Sequence, residues 1–553
     1  MGSQDKRNNP EEYELQQVLK LHDQESNSEI IQIPPPIKKE DEGITEDQMR
    51  YKIYNFLFEE ELTLQNAPSK VLNLLRASIP NIFTQLSTTF FLFVNMYFIQ
   101  KTKSPLIVGA YGLATTWFHS ACYSALLSLN NGLFTQVAQA YGAQNFKLIG
   151  QLFNKALAIA LTFSCIALIM ILNTANIMIF FGIKEETAEI AQEFVVWLIP
   201  SLFLVAVSDC LRNALLGIQK MDLVMNSYML SYLMHPIWLL IFFDHFGMVI
   251  IGMSLARCIS DLNILLNLLY NIHKEKKTCK ILNEIYQPFL EMETLRGWLK
   301  YLKVAIPVGS IVYLEWAFYE VTTIIVGMLQ DDNQLAGHTS FQSMTLFFYM
   351  MPLGLSMSVN SFLGSCVGDG KKKIAINFYK ISIYACLLEI VVFMIVGVLL
   401  HPVFRSFLVT SEEIGYYYDI CYNIYIFGYI IPDYIQCIFG AILRSAGLEQ
   451  RAMMIYIIGF YVIGFPTSLF MVFTLDLEVS GIWYGLIIAS GASSLIFYYE
   501  IQRMDWDKCI EFVKERVDQE KLEQENLKQV SNRISSILGN HDLQVAKIRP
   551  SML

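Results

Sequence analysis

The sequence predicts an all-α membrane protein, with twelve transmembrane helices in two six-helix lobes related by a pseudo-twofold axis along the membrane normal. Three observations carry that prediction. Long apolar runs recur along a 553-residue chain that is 54% hydrophobic and only 16% charged, too apolar for a soluble protein of this length. Basic residues gather in alternate loops. Short sequence matches recur in the two halves at nearly one spacing.

Windows of roughly 20 apolar residues place spans at 74–99, 106–138, 149–173, 188–211, 223–244 and 248–271, then at 299–328, 335–365, 374–400, 413–443, 452–475 and 479–501. Residues 1–72 form a polar tail with PPP at 34–36, EEE at 59–61 and no apolar h-region. It reads as a disordered cytoplasmic segment without a cleaved signal peptide, the first span acting as the targeting signal. The N-lobe takes 73–272, a cytoplasmic interlobe loop 273–298, the C-lobe 299–502, and a partly helical cytoplasmic tail 503–553. Within that tail, Ile510, Val513, Val517 and Leu522 fall on one helical stripe.

Orientation follows from loop charge. Lys147, Lys155, Arg212, Lys220, Lys274, Lys276, Lys277, Lys280, Arg296, Lys300, Lys303, Lys371, Lys372, Lys373, Lys380, Arg444 and Arg451 fall on one side. The other side holds Lys101, Lys103, Lys184 and Arg405. The positive-inside rule puts both termini in the cytoplasm, as an even number of spans requires.

The repeat is legible without comparison to any other protein. RASIP (76–80) and KVAIP (303–307) open the first and seventh spans, and 307 − 80 is 227. AYGAQNFK (140–147) and CVGDGKKK (366–373) follow the second and eighth, and 368 − 142 is 226. IIGMSLA (250–256) and VSGIWYG (479–485) enter the sixth and twelfth, and 481 − 252 is 229. A duplicated six-span unit keeps its membrane sense, and substrate sites in such proteins lie between the halves.

Other classes lose support. The ten cysteines are scattered without CxxC or Cys/His clusters, so neither a zinc site nor a disulfide framework is expected. No GxxxxGK[ST] loop is present, which argues against ATP-driven transport. An intramembrane protease would need glycine where Cys366 stands ahead of VGDG (367–370), and YD (418–419) comes in the wrong order.

Inside VYLEWAFYEVTTIIVG (312–327) lie Glu315 and Glu320. An ionised acid at mid-bilayer costs roughly 2.5–3.5 kcal/mol on insertion scales, so such groups face a cavity, bind a cation or hold a proton. A site that alternately binds a proton and an organic cation is the physics of an antiporter. On a regular helix the two glutamates point about 140° apart, so one is expected to line a cavity while the other pairs with an adjacent helix. Glu389 is a candidate relay. Asp209/Arg212 and Arg257/Asp261 read as local ion pairs, and His119, His235 and His338 as hydrogen-bonded histidines. Trp316, Tyr319, Phe341 and Tyr349 are candidates for an aromatic wall. Pro80, Pro307 and Pro466 remove helix donors and allow kinks.

These segments resemble a known family. GLFTQVAQAYGAQNFKLIGQLF (132–153) is similar to the QAYGA loop of multidrug and toxic compound extrusion (MATE) transporters. VYLEWAFYEVTTIIVGML (312–329) resembles the seventh helix of eukaryotic members, with its EWW-x-x-E pattern. IPDYIQCIFGAILRSAG (431–447) resembles the tenth, with Asp433 eleven residues before Arg444 and fourteen before Gly447. GFYVIGFPTSLFMVF (459–473) and VSGIWYGLIIAS (479–490) are similar to helices eleven and twelve. The resemblance covers about residues 70 to 506. It implies a proton-coupling and substrate site of Glu315, Glu320 and Asp433, with Gln342, Glu389, Asn95, His119, Trp316, Tyr319 and Tyr349 as secondary positions. The chain departs from the family at several of these. Asn95 stands where prokaryotic members carry an aspartate, and His119 where a small polar residue is usual. Gln342 replaces an acid of the animal branch, and Trp316-Ala317 replaces the tryptophan pair.

The expected function is a secondary-active antiporter, not an enzyme, that exports organic cations, xenobiotics or metabolites in exchange for protons by alternating access. The alternatives are a lipid-linked oligosaccharide flippase and a sodium-coupled exporter of the same superfamily. The expected partners are a small organic substrate, the lipid bilayer and protons, with no nucleic acid, no metal, no cofactor and a monomeric working unit. A proton or sodium gradient drives it, in the plasma membrane or in a vacuolar or other internal membrane.

Overall fold

A computed structural model describes residues 62–63, 66–276, 281–284, 297–329, 331–409 and 411–522. The expectations for most of the polar N-terminal tail, most of the interlobe loop and the tail beyond 522 lie outside the described residues; the first helix starts at Ala67, inside the expected tail.

Among the described residues, twelve long helical rods follow in chain order, with short helices at Thr174–Phe180 and Ile281–Glu284 between them. The first six are α1 (Ala67–Gln100), α2 (Pro105–Phe118 continuing to Gly142), α3 (Phe146–Leu172), α4 (Glu185–Trp197, then Ile199–Gly217), α5 (Met221–Leu239 continuing to His245) and α6 (Ile250–Glu275). The second six are α7 (Trp298–Gly327), α8 (Asp332–Asp369), α9 (Lys372–Leu408), α10 (Glu412–Ile424 continuing to Ser445), α11 (Glu449–Tyr456 continuing to Thr474) and α12 (Glu478–Arg503). Among the described residues, ten of these are long and apolar enough to cross a membrane. The other two, α2 and α5, contain π-turns at His119–Tyr123 and Leu240–His245. The first inserts one residue and the helix resumes at Ser124, whereas α5 ends on its π-turn.

Local chemistry sets the ends. Ser104, Asn145 and Ser411 accept the amides of Ile107, Leu148 and Ile414 at the starts of α2, α3 and α10. Asp331 does the same at α8, accepting from Asn333 and Gln334. The outward faces are apolar: Leu387, Val391, Ile395 and Leu399, one turn apart on α9, stay uncovered by protein, as a lipid-facing stripe requires.

The lobes exchange partners reciprocally. From the N-lobe α1 packs on α8, and from the C-lobe α7 packs on α2, the crossing expected of two copies of one unit. Contact is closest at the end of the bundle where the tails lie. A Cβ on Gly132 would stand 2.3 Å from the Cα of Ala305, and one on Gly354 would stand 2.7 Å from the Cα of Ile82. These backbones touch only because glycine has no side chain. Polar bonds close the same end. Asn81 donates to Ser358 Oγ at 2.8 Å, Asn360 to Thr135 Oγ1 at 3.1 Å, and Ser361 to the Leu216 carbonyl at 2.7 Å.

A further helix, α13 (506–522), lies across this tail-side seam. Asp505 caps it, and the amides of Lys508 and Asp507 hold its exposed carboxyl below the usual range. Ile510, Val513 and Val517 are buried, whereas Leu522 is 61% exposed. The expected stripe is therefore one residue too long, since the helix has run past its support by then. Arg516 reaches both lobes: it donates to Glu449 Oε1 of α11 at 2.7 Å and to the side chain of Gln139 in α2. Arg516→Ala is expected to loosen the seam. Hydrogen exchange at 136–142 and 361–368 should rise about threefold, in keeping with a part-exposed ion pair worth under ~1 kcal/mol. Unchanged exchange would show that α13 does not hold the lobes together.

Candidate transport cavity

The lobes part above the closed seam and enclose a cavity of about 630 Å³. Its walls come from the middle and far halves of α1, α2, α7 and α8, together with α4, α5 and α6. That volume suits a drug-sized ligand.

On the C-lobe wall, α7 stays helical throughout, so its two carboxylates separate. Glu320 lines the cavity beside Trp316 and Tyr319. Among the described residues it has neither a hydrogen bond nor an ion pair. Glu315 turns inward and is 1% exposed. Tyr349 donates its hydroxyl to Glu315 Oε2 at 3.0 Å, and the Gln436 amide donates to Oε1 at 3.1 Å. The same Gln436 nitrogen lies 3.2 Å from Asp433 Oδ1. One amide thus joins the two buried acids. Tyr349 also lines the cavity and so separates this cluster from its interior. A π-turn at Tyr425–Tyr429 precedes the straight segment bearing Asp433 and presents Tyr429 to Tyr319, their hydroxyls 2.8 Å apart.

The secondary positions divide. Gln342 lines the cavity; it accepts from Thr323 at 2.8 Å and donates to the Tyr319 carbonyl at 3.2 Å. His119 also lines it, turned inward by its own π-turn. Asn95 does not: its Oδ1 bonds His235 Nε2 at 3.0 Å, tying α1 to α5, while His235 Nδ1 meets Ser260 at 2.8 Å. Glu389 sits in the C-lobe away from the cavity lining, both oxygens buried with no hydrogen-bond partner among the described residues. Phe341 is not part of an aromatic wall. It is fully buried in a ring cluster with Tyr418, Tyr422, Tyr425 and Trp483, because its face of α8 looks toward α10 and α12.

The N-lobe wall holds what the sequence undervalued. Asp209–Arg212 and Arg257–Asp261 are ion pairs at 2.8 Å each, and all four residues line the cavity. Spacing announced the pairs but not the direction they face. Gln436 was missed altogether. Its one signal is a position three residues after Asp433, on the same helical face.

Two interlocked six-helix lobes around a central charged cavity define a multi-pass membrane transporter, not an enzyme. The MatE family model matches residues 80–241 and again 307–470, the two matches opening on the repeat prolines, and the chain belongs to that family. Multidrug and toxin extrusion protein 1 of Homo sapiens is 25% identical over 446 residues, covering 78% of this chain and 74% of the relative. Protein DETOXIFICATION 49 of Arabidopsis thaliana is 24% identical over 471 residues, covering 82% and 89%. Among solved structures, the eukaryotic MATE transporter AtDTX14 matches with a TM-score of 0.73 at 18% identity, covering 82% of this chain and all of that one. A multidrug resistance MATE transporter in an outward-facing conformation matches at 0.71 and 17%, covering 83% and 98%. At those identities the structures bear on the fold.

Proposed function

We propose that this transporter is a secondary-active antiporter that exports organic cations, including xenobiotics or metabolites, in exchange for protons. The observation that carries this reading is the division of labour among its acids. Glu320 lines the cavity unpaired among the described residues, where a cation can reach it beside the aromatic faces of Trp316 and Tyr319. Glu315 and Asp433 share one Gln436 amide behind the wall. Two carboxylates that close, shut away from water, repel unless a proton or cation lies with them. Occupancy of that cluster by a proton, and its loss when cargo enters beside Tyr349, is the exchange.

Loop charge supports placing the tail side in the cytoplasm, and the closed tail-side seam then makes this an outward-facing state. The name of the human relative, multidrug and toxin extrusion protein 1, supports export as the direction. The flippase alternative has less support: a cavity of about 630 Å³ with an unpaired acid suits a small cation better than a lipid-linked pyrophosphate. The test is uptake of labelled tetraethylammonium into proteoliposomes under an imposed pH gradient. Accumulation should follow the gradient and collapse with an ionophore. Accumulation that ignores pH and follows sodium would replace the proton with sodium as the driving ion.

A further inference from the structure

We propose that the N-lobe wall is an anion subsite centred on Arg257, so that the cargo bound best is zwitterionic: a cationic group toward Glu320 and a carboxylate toward Arg257. The proposal deepens the export reading and takes from it the cation-binding role of Glu320 and the direction of travel.

Asp261 takes the Arg257 Nε at 2.8 Å and the Ser201 hydroxyl at 2.5 Å through the same oxygen. Arg257 spends a single N–H on this pair. Its two terminal nitrogens have no protein acceptor among the described residues, although the side chain lines the cavity. An arginine present only to neutralise Asp261 would present its fork to the carboxylate and use two parallel bonds. Here the fork is left over.

The free end is also held in place. The guanidinium lies over the ring of Phe91, 4.5 Å from its centroid, and over that of Tyr123 at 5.2 Å. Phe91 in turn packs on His235 at 4.3 Å. Stacking fixes the plane of the fork before any ligand arrives, which lowers the ordering cost of binding. Arg212 adds positive potential from α4. Its Nε has no partner among the described residues, and Asp209 is shared with the amides of Asn130 at 2.9 Å and Asn213 at 3.1 Å. The cavity therefore has an unpaired acid on one wall and unspent arginine donors on the other. A simple cation satisfies the first and leaves the second desolvated without an acceptor, which disfavours it relative to a ligand that serves both.

A matched pair of compounds tests this: benzyltrimethylammonium and 4-carboxybenzyltrimethylammonium, titrated calorimetrically against the full-length purified protein. The carboxylated compound should bind at least about tenfold more tightly, as one good charge-assisted contact allows. Arg257→Gln alone would strip Asp261 of its charged partner, so the informative variant is the double R257Q/D261N, which removes this ion pair without leaving either charge unpaired. In it the ratio of the two affinities should fall to about one, whatever happens to either affinity alone. Arg257→Lys, which keeps the charge but not the fork, should lose most of the ratio and serves if the double variant does not fold. Equal binding of the two compounds by the native protein, or a ratio that survives in the variants, overturns the proposal. Failure of the pH-gradient experiment would count against proton exchange and leave this binding ratio standing.

Discussion

Glu315→Gln and Asp433→Asn are each expected to cut gradient-driven accumulation by at least about tenfold, and the double variant is expected to be no worse than either single change. Both side chains are almost wholly buried, and both are read by the same nitrogen of Gln436. A cluster that holds one exchangeable cation fails once, whichever acid is removed. Two independent sites would instead give losses that multiply. Amide replacements keep the shape of each side chain and trade one accepting oxygen for an N–H donor that the unpartnered Gln436 Oε1 can take up, so thermal stability should move by only a few degrees or less. The measurement is uphill tetraethylammonium accumulation, with downhill counterflow as a control that the protein still moves cargo. Native accumulation by either single variant would remove both acids from the exchange site.

Glu320→Gln is expected to act differently. It should raise the half-saturating concentration of tetraethylammonium by about tenfold, near 1.4 kcal/mol, while the maximal rate and the response to the pH gradient persist. The reason is position: Glu320 lines the cavity with no hydrogen-bond or ion-pair partner among the described residues, so its charge is expected to act in binding and not in the buried cluster. Glu320→Asp should recover part of the affinity. A fall in maximal rate with unchanged half-saturation would place Glu320 in the exchange step instead. Together the two experiments separate an outer cation-binding acid from an inner pair, a distinction that five residues of one helix make possible because 3.6 residues per turn sends them to different faces.

The division into outer and inner acids shows where reading the sequence reached its limit. Helix periodicity required Glu315 and Glu320 to diverge, but nothing in the string said which of them would meet the cavity. That depended on α10 bringing Gln436 and Asp433 against Glu315 from 121 residues away. Asn95 looked like a remnant of an N-lobe site, and the packing of α1 on α5 commits it to His235 instead. Phe341 matched an aromatic wall by composition, yet it is absorbed by the rings of α10 and α12. In each case the radial direction of a residue was set by a neighbour distant in sequence.

What the sequence determined by itself is the class of fold: apolar length, the sidedness of loop charge and a repeat near 227 residues define two six-helix lobes, and the spans are legible because lipid forces each crossing to satisfy its own backbone. Local pairs were legible for a similar reason, since three- and four-residue spacings are fixed by one helix alone. Only the tertiary structure decided which lobe faces carry charge into the cavity, that the tail-side seam is shut by glycine contacts, and that α13 reaches both lobes through Arg516. A bilayer rewards apolar surface on every outward face alike, so it dictates that helices form but not how they rotate about their axes. That rotation is chosen by small residues, buried amides and ion pairs that meet only once the lobes have packed.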